Sequence, residues 1–105
     1  MAFVKALAAS EVQAGNGKSV TLGGKKIAVF NVNGKLMAID DLCTHDEASL
    51  AEGFVCEEDG VCKVECPWHG AQFDLKSGAA LTLPAVKPVK SYPVRVTDGS
   101  VEVDV

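Results

Sequence analysis

The sequence predicts an all-β chain, either an antiparallel sandwich or a barrel-like fold. Three observations point there. Four glycine-containing dipeptides (Gly23-Gly24, Asn33-Gly34, Asp59-Gly60 and Asp98-Gly99) separate short runs rich in β-branched residues. The last run, V-E-V-D-V at 101–105, alternates strictly, as a half-buried strand does. No stretch of ten or more residues has a helical period. Short strands with frequent turns are the pattern of antiparallel all-β architectures.

Taken in order, residues 1–10 (MAFVKALAAS) form no secretory signal, because Lys5 interrupts the apolar run such a signal needs. Gly23-Gly24 divides a strand at 19–22 from one at 26–32. Asn33-Gly34 divides the latter from 35–40, and Asn-Gly between apolar runs is the strongest short-range hairpin signal. In 26–32, Ile27 and Val29 alternate with smaller or polar neighbours, whereas 35–40 is less cleanly sorted. Asp59-Gly60 joins 54–56 to 61–65, and Asp98-Gly99 joins 92–96 to 101–105. Residues 47–50 have room for one helical turn. The segments 42–53 and 66–70 lack strand alternation and carry both histidines and two of the four cysteines. Residues 84–88 (P-A-V-K-P) form a third irregular piece, stiffened by two prolines.

At 105 residues, with 48% apolar residues, the chain reads as one domain, 1–105, with a modest core and no disorder signature. The net charge of −4 and the pI near 5.0 disfavour a nucleic-acid surface, which needs a basic stripe. No apolar run approaches the ~20 residues that span a bilayer. The expected setting is therefore the reducing cytoplasm, where structural disulfides are rare and the cysteines need another explanation.

Each histidine follows a cysteine closely: Cys43-Thr44-His45 and Cys66-Pro67-Trp68-His69, with twenty residues between the pairs. Thiolate and imidazole bind zinc, copper and the iron of iron–sulfur clusters. A zinc finger groups two Cys on one element and two His on the other. Here each loop carries one of each, which suits a binuclear site: each loop sends its Cys to one iron and its His to the other, as in a Rieske [2Fe–2S] centre.

The two loops, with Leu50 behind the first and Gly70, Phe73 and Asp74 behind the second, resemble the C-x-H…C-x2-H-G pattern of the Rieske family. The resemblance continues through Ser77, Gly78, Pro84, Pro88 and Tyr92. In size the chain is similar to the ferredoxins of bacterial ring-hydroxylating dioxygenase systems. The resemblance implies three stacked antiparallel β sheets with the cluster at one tip, held by two loops. It implies Cys43, His45, Cys66 and His69 as the ligands of one [2Fe–2S] cluster, and 84–88 as a covering third loop. The implied role is a monomeric electron carrier, not an enzyme. It takes single electrons from an NAD(P)H-dependent flavoprotein reductase to a terminal non-haem iron oxygenase. No nucleic acid or membrane partner is implied.

Further expectations follow from that resemblance. With two neutral imidazoles replacing two thiolates, the oxidised site is neutral, and adding an electron is easier than at an all-cysteine cluster. High-potential relatives carry a loop disulfide, and a Ser and a Tyr hydroxyl near the cluster sulfurs. Here Ala48 and Trp68 stand at the disulfide positions, and Ala71 and Phe73 at the hydroxyl positions. Fewer donors to sulfur stabilise the reduced state less, so the potential is expected low in the Rieske range, roughly −150 mV. Asp46 and Glu47 act weakly in the same direction. Gly70 is expected to allow the turn that aims backbone N–H groups at the sulfurs, and Pro67 to fix the loop. Trp68 either shields the cluster or caps the core. Cys56 and Cys62 flank the Asp59-Gly60 turn. They read as two small buried side chains, or as a disulfide across the hairpin, with Cys62 a possible competitor of Cys66. The alternatives are a small subunit of a nitrite reductase-type complex, a structural zinc module and a cluster-based redox sensor.

Overall fold

The computed structural model describes residues 3–41, 49–66, 70, 72–81 and 88–105. These form ten strands: β1 (Phe3–Ala8), β2 (Gly17–Leu22), β3 (Lys25–Val32), β4 (Lys35–Asp40), β5 (Phe54–Glu58), β6 (Val61–Glu65), β7 (Gln72–Asp74), β8 (Ser91–Tyr92), β9 (Val94–Thr97) and β10 (Ser100–Asp104). They assemble into three antiparallel sheets with strand orders β1-β10-β9, β2-β3-β4-β8 and β5-β6-β7. Among the described residues the only helical pieces are single 3₁₀ turns at Ala9–Glu11 and Leu50–Glu52.

All four dipeptides form two-residue hairpin loops, with both residues at positive φ. In Asn33-Gly34 the angles are 53° and 89°, the geometry whose twist matches the flanking strands. Asn31 reinforces this turn by accepting the Gly34 N–H on its side-chain oxygen at 2.8 Å.

The sheet of β2, β3, β4 and β8 lies in the middle and is covered on both faces. Ala28, Phe30, Val32 and Ile39 pack into one core with Leu50, Cys62, Val64, Cys66, Phe73, Leu75 and Val89. Ile27, Val29 and Ala38 pack into the other with Val12, Leu22, Tyr92, Val101 and Val103. This explains why 35–40 does not sort cleanly. A central strand buried on both faces has no solvent side to mark with polar residues, so the alternation read in β3 does not mean half-burial.

Several expectations change. The strand expected over 92–96 is two strands. Tyr92 pairs with Ala38 in the central sheet, Pro93 interrupts, and Val94 pairs with Val103 in the neighbouring sheet. Proline has no N–H to give a ladder, and here it sits where the chain changes sheets. The helical turn expected at 47–50 falls partly outside the described residues, which do not include 47 and 48; a 3₁₀ turn follows at Leu50–Glu52. Cys56 and Cys62 are not a buried pair. Cys56 stands opposite Lys63, and Glu57 opposite Cys62, so the two cysteines point to opposite faces of the hairpin. Cys62 is buried, while Cys56 is exposed on the outer face of an edge strand, and neither is in a disulfide.

Candidate metal centre

Of the four residues proposed as ligands, Cys66 is described; Cys43, His45 and His69 lie outside the described residues, as do Asp46, Glu47, Ala48, Pro67, Trp68, Ala71 and Pro84. The described residues fix where the two segments that carry the Cys–His pairs leave and rejoin the fold.

The first segment leaves at Asp41, just after β4, and returns at Ser49. The Leu50 N–H donates to the Asp41 carbonyl at 2.6 Å, so exit and return are pinned together. The Asp41 carboxylate is buried. It accepts from the Ser49 hydroxyl at 2.8 Å, the Ala51 N–H at 2.9 Å and the Ser19 hydroxyl of β2 at 3.0 Å. Leu50 is fully buried in the core that also holds Cys66.

The second segment leaves at Cys66, one residue past β6. Alternation along β6 puts Cys62, Val64 and Cys66 on the core face, and Cys66 is only 1% exposed. Its thiol is free. The Gly70 N–H returns to the Cys66 carbonyl at 3.1 Å, and Gly70 has φ +73°, the left-handed conformation that closes a tight turn.

The chain returning from the first segment packs against the strand end that precedes Cys66. A Cβ on Gly53 would collide with the Glu65 carbonyl and lie 3.1 Å from the Leu50 carbonyl. Glycine there lets the return of the first segment touch the strand end that carries Cys66. On the other side, Gly78 has φ +81°, and a Cβ there would strike the Val89 carbonyl. Val89 donates its N–H to Gly78 at 2.8 Å, which fastens the end of the third irregular segment to the turn after β7. Phe73 is fully buried in the core, a phenyl without a hydroxyl to offer.

Cys62 stands apart from Cys66. It lies four residues back along β6, about 13 Å at the usual strand rise. Burial and the Glu57 carboxylate push its thiol above the ordinary range. Among the described residues no three His, Cys, Asp or Glu side chains converge as an alternative metal site. A free, buried thiol at a strand end, beside a second loop that carries one Cys and one His, is a donor set that fits a mixed thiolate–imidazole cluster. The Asp41 anchor and the Gly53 contact were not read from the sequence; spacing gives no sign of a partner as distant as Ser19.

The family model for the Rieske [2Fe-2S] domain matches residues 2–93. The anthranilate 1,2-dioxygenase ferredoxin subunit of Burkholderia cepacia is 48% identical over 83 residues, covering 79% of this chain and 73% of that protein. The ferredoxin of Sphingomonas yanoikuyae B1 superposes with a TM-score of 0.85 at 36% identity, covering 99% of both chains. A chain from a complex of reduced oxygenase and oxidised ferredoxin in carbazole 1,9a-dioxygenase gives 0.82 at 36% identity, covering 96% and 91%. A chain from Mycobacterium tuberculosis, described as the small subunit of an NADH-dependent nitrite reductase, gives 0.88 at 29% identity, covering 97% and 93%.

Proposed function

We propose an electron-carrier role for this chain, which belongs to the Rieske [2Fe-2S] domain family. It passes one electron at a time from an NAD(P)H-dependent flavoprotein reductase to a terminal ring-hydroxylating oxygenase, in the catabolism of aromatic compounds. Its relatives are named as ferredoxin subunits of dioxygenases, which supports a carrier rather than a catalyst. The observation that carries the reading is the buried, free Cys66 at the end of β6, set by Gly53 against the return of the segment that bears Cys43 and His45.

In this reading the Cys43 and Cys66 thiolates would hold one iron of the cluster, and the His45 and His69 imidazoles would hold the other. When bound, the cluster supplies a one-electron couple. The chain's own residues do the rest. Leu50, Phe73 and Val89 pack dry side chains around the Cys66 side of the site, which limits water near the sulfur. Phe73 offers no donor, in keeping with a low potential. We further propose that residues 1–105 act as one domain, as a monomer, in the cytoplasm. Among the described residues no helix is long and apolar enough to cross a membrane.

The nitrite reductase-type reading is favoured by one structural neighbour with a TM-score of 0.88. A redox titration followed by electron paramagnetic resonance separates the cases. The carrier reading expects a Rieske-type signal on reduction near the low end of the range, roughly −150 mV. A strongly positive midpoint sinks the argument from Ala48, Trp68, Ala71 and Phe73. Full metal content with no reducible iron signal leaves a zinc module. A normal signal that only a nitrite reductase large subunit can discharge moves the chain to the second reading.

A further inference from the structure

We propose that Asp41 is the positioning residue of the first ligand loop, and that its fixed negative charge holds the potential of the site down. The inference rests on the assignment of Cys43 and His45 as ligands.

Asp41 is the only buried charged residue among those described, at 5% exposed. Burying a carboxylate is costly unless it is fully hydrogen-bonded, and this one accepts from three groups on two separate pieces of chain. Ser19 reaches it from β2, and Ser49 and Ala51 reach it from the far side of the loop. The Asp41 backbone is used as well. Its N–H donates to the Lys26 carbonyl at 3.0 Å, extending the β3–β4 ladder, and its carbonyl accepts from Leu50. The segment so closed, 42–48, contains two of the four proposed ligands. One residue thus fixes both ends of that segment to the central sheet. Groups that orient ligands in this way strongly influence how well a metal is held. Cys43 is two residues along the chain, and two residues reach at most about 7 Å. The carboxylate sits on the same short stretch of chain as that proposed ligand, and a negative charge near a redox centre opposes the arrival of an electron.

The test uses the intact holoprotein and three variants. Asp41→Asn keeps an oxygen for Ser49 and Ala51, and its amide can donate to Ser19 once that hydroxyl turns. It should load its cluster as the parent does and keep the parent's g-values, with a raised midpoint potential. Asp41→Ala should lose its cluster to a chelator about tenfold faster or more, the usual scale for an outer partner of a metal site. Ser49→Ala, which leaves the carboxylate in place, should fall between and serves if Asp41→Ala does not fold. Parent-like cluster loss in Asp41→Ala and Ser49→Ala, with an unmoved potential in Asp41→Asn, overturns the proposal. So does rapid loss in all three variants with no change in potential, which marks a purely structural residue. A parent protein without a Rieske signal fails the ligand assignment itself, a different result from a parent with the signal and indifferent variants.

Discussion

Cys62 and Cys66 share one face of one strand, and their different fates come from position along it. Cys66 sits where the strand ends and a loop begins; Cys62 sits in the core beside the hairpin turn. Cys66→Ala should abolish the cluster signal. Cys62→Ala should keep it, at about 1 kcal/mol of stability for a methyl-sized void. In the folded protein at pH 8, iodoacetamide should modify Cys56 well before Cys62, because burial pushes the Cys62 thiol up; mass spectrometry of the labelled peptides reads this directly. Tyr92, the single tyrosine, donates its hydroxyl to Asp40 at 2.7 Å, and burial with that carboxylate pushes it up to about 12. A raised folded value means the folded form holds the proton longer. Its contribution to stability is complete below pH 10 and is lost as pH rises through about 12. An ultraviolet titration should show the late phenolate, and Asp40→Asn should bring it back toward the ordinary range. The two Cys–His pairs were legible at this scale because residue type and spacing carry the chemistry that proposes them as ligands. Asp41 was not, because its partner Ser19 is 22 residues away and only the fold joins them.

At the scale of elements, the hairpins were legible because each loop needs two residues at positive φ, and Gly, Asn and Asp announce that requirement. The same signal does not tell an open turn from a crowded one. Gly34 has open space where a Cβ would go, so Gly34→Ala should cost only the left-handed conformation, about 1–2 kcal/mol. Gly53 has an unremarkable φ but a carbonyl where the Cβ would go. Gly53→Ala should cost about 1–3 kcal/mol of overpacking and also disturb the seat of Cys66. Thermal melts read the first effect, and iron content per chain reads the second. An equal loss of iron in both variants would count against a link between Gly53 and Cys66. Strand β1 was missed, and β8 was not told apart from β9, for different reasons. β1 has no turn before it to mark a boundary, and β8 is two residues whose pairing is set by β4, not by their own pattern.

For the whole molecule, the all-β class and the antiparallel arrangement were legible in the punctuation, and the number of sheets came from the family resemblance. The middle position of the β2-β3-β4-β8 sheet was hidden, since burial on both faces erases the period that reveals a surface. That sandwiched sheet sets an order of events during synthesis. Every buried member of the core around Cys66 lies at or before Val89, whereas the opposite core requires Val101 and Val103. A nascent chain emerges from the ribosome with its amino end first. The half that seats the metal therefore has all its packing residues available while the other face of the central sheet still waits for its cover, which arrives with the last strand made.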